Sequence, residues 1–152
     1  MHVLFPTGRQ TETSLTPALA GVTDFTYDIV VSGEIASFLT PERLRTLMEK
    51  HPCDAVIVSG MCTADFSSVS AETKTPIYRG TRHAADMRLA VPLLLAGRLS
   101  VTFAADSLLK ALKLYKKRLE QTKDALQDRL SDDEIDFEKY SDTEKENKTM
   151  KK

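Results

Sequence analysis

The residues best equipped for chemistry fall in four short stretches, each following an apolar run: Thr7-Gly8-Arg9, Ser32-Gly33-Glu34, Ser59-Gly60-Met61 and Arg79-Gly80-Thr81-Arg82-His83. Glycine lets a backbone approach a ligand closely, hydroxyls hydrogen-bond it, and arginine supplies fixed positive charge. That combination suits a phosphate or a carboxylate. The candidate cleft lining is Thr7, Gly8, Arg9, Gly33, Ser59, Gly60, Arg79, Gly80, Thr81, Arg82, His83 and Asp86. Arg79 and Arg82 would hold the anion while the backbone of Gly8, Gly60 and Gly80 approaches it. The plainer account is that the glycines close strand-to-helix turns and the arginines decorate a loop. No Gly-x-Gly-x-x-Gly fingerprint and no phosphate-loop Lys-Ser/Thr motif is present, so no nucleotide is specified.

His83 and Asp86 lie three residues apart, a spacing that places them on one helix face. Beside Arg82 and at a helix start, the imidazolium of His83 is disfavoured, which leaves a neutral hydrogen-bonding group. A histidine and an acid without a nucleophile make no triad, and two ligands do not make a metal site, so no catalytic residue and no metal ligand is assigned. His2 and His51 read as incidental. Asp65 follows the third apolar run and is better read as a helix cap than as a ligand. Cys53 and Cys62, the only cysteines, lack both disulfide-framework and zinc spacing. Two such thiols fit a reducing compartment.

The elements that must position these groups are legible in outline. His2–Phe5, Tyr27–Val31 and Ala55–Val58 are short runs rich in β-branched and aromatic residues, as buried strands are, and Pro76–Tyr78 is a weaker fourth. Between them, Thr40-Pro41-Glu42 opens a helix: threonine caps, proline suits the first turn, and the acid favours the dipole. Leu44, Leu47 and Met48 share one face of it. Ser14–Ala20, Ala64–Glu72 and His83–Ala96 are further helical stretches, with Pro92 bending or ending the last. This alternation predicts a three-layer α/β domain of flavodoxin-like or Rossmann-like type, with a small, mostly parallel sheet of about four strands. All four glycine-containing loops would then lie at the strand carboxyl ends, where such sheets bind ligands.

From residue 105 the pattern becomes one long helix, capped by Asp106. Leu108, Leu112, Tyr115, Leu119, Thr122 and Leu126 form a heptad seam that can pack on the α/β layer, on a second copy or on a following domain. The spacing of Ser131 and Glu134 suits the start of a short further helix, and the charged residues beyond Tyr140 read as a polar tail or linker. The expected organisation is an α/β domain over 1–104, the helix over 105–130 and the polar stretch over 131–152. The chain of 152 residues is 41% hydrophobic with a net charge of −1. This balance argues against non-specific nucleic-acid binding. No apolar run is long enough to span a bilayer, and the first residues do not resemble an export signal. The expected location is the cytoplasm, without membrane or nucleic-acid partners.

Ala36-Ser37-Phe38-Leu39-Thr40-Pro41, the strand ending from Asp54 to Gly60, and Gly80-Thr81-Arg82-His83-Ala84-Ala85-Asp86 resemble the amino-terminal domain of archaeal dihydropteroate synthase-like proteins. Thr7-Gly8-Arg9 matches that family's first strand ending, and Ser100 with Ala105-Asp106 its next segment. The likeness covers about the first 110 residues. It implies an accessory domain whose carboxyl-terminal β/α barrel, the pterin-binding part, lies outside this chain, and a setting in tetrahydromethanopterin biosynthesis.

Three functions follow as expectations. The first is an accessory, ligand-binding domain for a small phosphate- or carboxylate-bearing molecule, partnered by its own barrel and needing no cofactor. The second is an interaction module whose long helix forms a homodimer or docks on the barrel. The third, a small enzyme built on His83 and Asp86, has the least behind it.

Overall fold

The computed structural model describes residues 1–132. Four strands, β1 (His2–Gly8), β2 (Thr26–Gly33), β3 (Ala55–Val58) and β4 (Ile77–Arg79), form one sheet in the order β2-β1-β3-β4. Every pairing is parallel. The helices are α1 (Glu12–Leu19), α2 (Pro41–Lys50), α3 (Ser67–Thr73), α4 (Ala90–Leu95) and α5 (Ala105–Asp132), with 3₁₀ turns at Ala36–Phe38 and Ala84–Leu89. The described residues form a flavodoxin-like α/β arrangement with a long helix after it, as the alternation of runs predicts. The chain divides into two compact units, Met1–Lys110 and Ala111–Lys152. The boundary falls within α5 rather than at its start.

Alternation along the strands creates the three layers of the first unit. Val3, Phe5 and Ile57 face one side and pack with Leu15 and Leu19 of α1, Met87, and Leu93 and Leu94 of α4. Leu4, Val56 and Val58 face the other and meet Leu44, Leu47 and Met48 of α2 and Val69 of α3. β3 is buried throughout, as a central strand covered on both faces must be. β2, at the sheet edge, is only half-buried.

Local chemistry sets the helix ends. Thr40 caps α2 through Oγ1, which accepts the Arg43 N–H at 3.2 Å, with Pro41 in the first turn. Pro92 acts differently from the bend expected in one helix over His83–Ala96. The segment opens as a 3₁₀ turn, and Pro92 sits in the first turn of α4, where its missing N–H costs no helical hydrogen bond. Asp106 lies one residue inside α5, and its carboxylate accepts the Arg82 N–H at 2.7 Å instead of capping its own helix. Ser131 lies inside α5 and so starts no new helix. The rest of the expected polar tail lies outside the described residues.

Pro6 shapes the middle of the sheet. The His2 carbonyl accepts the Asp54 N–H, so by alternation Leu4 and Pro6 also turn their backbone groups towards β3. Proline has no N–H to offer there. The β1–β3 ladder stops at the pair Leu4–Val56, while the β1–β2 ladder continues to Gly8. The two central strands therefore part at their carboxyl ends. That gap is where the order of connections reverses, the position at which sheets of this kind hold ligands.

Candidate functional site

The parallel sheet brings all four expected loops to one edge. They touch one another closely: the Arg9 N–H donates to the Gly33 carbonyl at 2.8 Å, and the Gly60 N–H to the Thr81 carbonyl at 3.0 Å. Cys62 Sγ reaches the Ala36 carbonyl at 3.4 Å. Between β1 and β3 lies a cavity of about 30 Å³, lined by Pro6, Thr7, Thr11, Leu15, Ala36, Ser59, Thr81, Arg82, Ala84 and Met87. Four hydroxyls face it, yet it has room for about one water molecule. Thr7 and Thr81 are almost fully buried. Thr7 Oγ1 lies 2.8 Å from Thr11 Oγ1, and the Thr81 hydroxyl donates to the His83 carbonyl at 2.7 Å.

The glycines serve a different neighbour from the anion expected of them. A methyl group on Gly8 would meet Ala36 N at 2.5 Å and the Glu34 carbonyl oxygen at 2.7 Å. One on Gly60 would meet the Gly80 carbonyl oxygen at 2.5 Å, and one on Gly80 the Met87 sulfur. The close approach is of loop to loop. Backbone donors are taken up in the same way: Gly8 N–H by Thr11 Oγ1, Gly80 N–H by the Val58 carbonyl, Met61 N–H by Ser59 Oγ, and Arg82 N–H by Asp106. Gly33 has nothing within 4 Å of the added carbon and belongs to a separate hollow of about 220 Å³ with Phe38 and Arg43.

Arg79 corrects the expectation most clearly. Its side chain is buried away from the crevice, with Nη1 donating to the Cys62 carbonyl at 2.5 Å and Nη2 to the Ala64 carbonyl at 2.6 Å. Nε donates to the Val101 carbonyl at 3.2 Å, and the guanidinium carbon lies 5.8 Å from the Phe66 ring centre. A guanidinium so placed ties two loops together, with three of its five N–H donors bonded to backbone carbonyls. Arg9 is exposed and pairs with Glu34 at 3.2 Å. Arg82 lines the crevice and is exposed, and His83 and Asp86 are exposed as well. His83 and Asp86 meet through the backbone, Asp86 N–H to His83 carbonyl at 3.0 Å.

Three titratable groups are shifted by their surroundings. Burial pushes the Cys62 thiol up to about 11, against a smaller opposing pull from Arg79 and the Ser59 backbone. Cys53 is also raised, by burial and then by Asp54 and Asp28. Asp65 is lowered because its carboxylate accepts the Ser67 N–H at 2.9 Å, which ties it to the start of α3. Among the described residues no group of three His, Cys, Asp or Glu side chains is arranged to hold a metal ion.

Two features escaped the sequence reading. Thr11, three residues after Gly8 and just ahead of Glu12, has cap spacing that could have flagged it. At the opposite edge of the sheet, His2 bridges Thr26 Oγ1 at 2.7 Å and Asp28 at 2.9 Å, with His51 4.0 Å from the same carboxylate. No spacing in the sequence signals that cluster, because strand order alone assembles it.

Fold and site together define a flavodoxin-like α/β domain whose strand-end loops are knitted to one another. The chain belongs to DUF6513, a family of unknown function, whose model matches residues 1–82 and so takes in all four strands. No curated protein and no solved structure matches the chain. Among the described residues no helix is long and apolar enough to cross a membrane.

Proposed function

We propose that this chain is the accessory amino-terminal domain of a dihydropteroate synthase-like protein, acting in the cytoplasm in pterin-linked metabolism by contact with its barrel. One observation carries this reading. The donors at the strand ends are turned inward, while Ile35, Phe38 and Met61 face outward on the same edge, Phe38 with 74% of its surface exposed. The Cys62–Ala36 contact joins the loops that bear them. An edge whose loop backbones bond to one another and which is apolar on its outside suits a protein surface better than a metabolite. The resemblance spans about the first 110 residues, which is also the extent of the first compact unit.

Titrating the chain with an isolated barrel domain of that family, followed by calorimetry, tests this. Binding that weakens about tenfold or more in Phe38→Asp is expected, since a central apolar anchor is worth at least 1.4 kcal/mol. An absence of binding at high concentration overturns it.

A second reading keeps a small anion as ligand, because Arg82 at the crevice remains exposed, as do His83 and Asp86. A thermal-shift screen with pterins, pterin phosphates and inorganic phosphate separates the two. A raised midpoint that is lost in Arg82→Ala favours the anion, since any ligand of the folded state stabilises it by mass action.

A further inference from the structure

The two edges of the sheet end differently. At the β4 edge the chain partly covers itself, because the Arg79 N–H donates to the Ser100 carbonyl at 2.9 Å. At the β2 edge the Thr26 N–H donates to the Met1 carbonyl at 3.1 Å, which turns Thr26, Asp28 and Val30 towards β1. By alternation the N–H and C=O groups of Tyr27, Ile29 and Val31 point away from the sheet. Among the described residues no other segment's backbone bonds to them, and residues 27–31 are only half-buried.

Edges of this length are ordinarily blunted by lysine, proline or a bulge. Residues 26–31 hold neither lysine nor proline, and the register with β1 stays regular as far as Val31, slipping where Gly8 pairs with Gly33. The single charge in the stretch, Asp28, meets His2 Nε2 at 2.9 Å. The strand is also held firmly. The Tyr27 hydroxyl donates to the Leu19 carbonyl at 3.0 Å, and its ring stands edge-on to Phe5 with centres 6.0 Å apart. An edge ordered in advance loses little freedom when another strand joins it.

The pattern of this edge matches itself. The outward residues are symmetric about Ile29, so a two-fold axis through Ile29 and perpendicular to the sheet sets it opposite the partner's Ile29. Tyr27 then lies opposite the partner's Val31, and every outward N–H and C=O of both strands gains a complement in one antiparallel ladder. The side chains agree with that register. Tyr27 against the partner's Val31 is an aromatic and β-branched pair, which stabilises antiparallel sheets, and Asp28 falls opposite the partner's Val30, so like charges do not meet.

We infer that the chain forms a two-fold dimer by antiparallel pairing of β2 with β2 of a second copy, which joins the two four-stranded sheets into one. The contact uses the flank of β2 rather than the strand-end loops, so it does not rest on the barrel contact proposed above.

Sedimentation and amide exchange of the full chain, from about 5 to about 500 µM, test this across the range in which small interfaces associate. A monomer–dimer equilibrium is expected. As dimer accumulates, the Tyr27, Ile29 and Val31 amides should slow about tenfold, in step with the loss of free monomer. The Asp28 and Val30 amides, already bonded to β1, should stay unchanged. This alternating signature depends on no variant. Val31→Pro removes an outward donor at a residue that, among the described residues, lies outside both core clusters, and proline is tolerated on an edge strand where its nitrogen faces solvent. That variant should sediment as a monomer with an unchanged urea midpoint. A native chain that stays monomeric to about 500 µM overturns the inference. So does a dimer that leaves the three outward amides unchanged or persists in Val31→Pro, which would assign the contact to α5 or to another surface.

Discussion

The strand-end loops and the long helix use their polar groups in opposite ways. In the loops, hydroxyls, amides and the Arg79 guanidinium bond to nearby backbone, and little is left over for a ligand. Along α5 past Lys110, charged and apolar side chains face outward. Groups bonded internally hold a shape, whereas exposed groups in a regular stripe are available to another surface. The contrast shows that a cluster of arginine, glycine and hydroxyl residues at strand ends need not be a ligand cradle. What distinguishes the two cases is whether their donors already have acceptors.

The glycines give the sharpest test of that difference. Gly60→Ala drives a methyl against the backbone of residues 80–82 and should destabilise the domain by about 3 kcal/mol, the upper range for overpacking. Gly33→Ala meets open space and should stay within about 0.5 kcal/mol. Urea unfolding of both variants checks this, and equal effects would erase the distinction between the crowded loops and the open one. Arg79→Met comes next. It leaves the Cys62, Ala64 and Val101 carbonyls without their donor and should cost about 2 kcal/mol. Amide exchange should quicken in both of the loops that Arg79 joins, whereas an anion ligand at this position would leave the loops unchanged.

A smaller effect follows from Cys62. Its thiol titrates near 11 in the folded chain against 9.0 as reference, so the folded state holds its proton more tightly. The stabilisation is full below about pH 9 and is lost as pH rises towards 11. Comparing unfolding of the native chain and Cys62→Ala across that window should show the native chain losing more. The same shift makes the thiol slow to alkylate at pH 8. Among the substitutions that remove a bond, Thr40→Ala should cost the least, about 1 kcal/mol through loss of the α2 cap.

Much of the scaffold was legible in the residues. Runs such as Ala55–Val58 and the Thr40-Pro41 start of α2 are local signals, and local signals survive into the fold. The length of β1 was not legible, because Pro6 reads as the end of a strand. It lies inside one because its missing donor coincides with the end of the β1–β3 ladder. The gathering of the candidate loops was legible, and the bonding of Arg79 was not. That the loops share one edge follows from parallel strands, which the alternation predicts. That Arg79 turns to the Cys62 and Ala64 carbonyls depends on which face of β4 it occupies, and a three-residue strand sets no pattern from which to read it.

The strand order also has a consequence for biosynthesis. β1 is made first, yet one of its two neighbours, β3, lies some fifty residues later in the chain. At ribosomal rates of about 5–20 residues per second, the inner edge of the β1–β2 pair stays open for seconds before β3 emerges to close it. During that interval Val3, Leu4 and Phe5 have no sheet on one side. The nascent chain is therefore most prone to aggregate, and most dependent on chaperones, in the interval before β3 emerges.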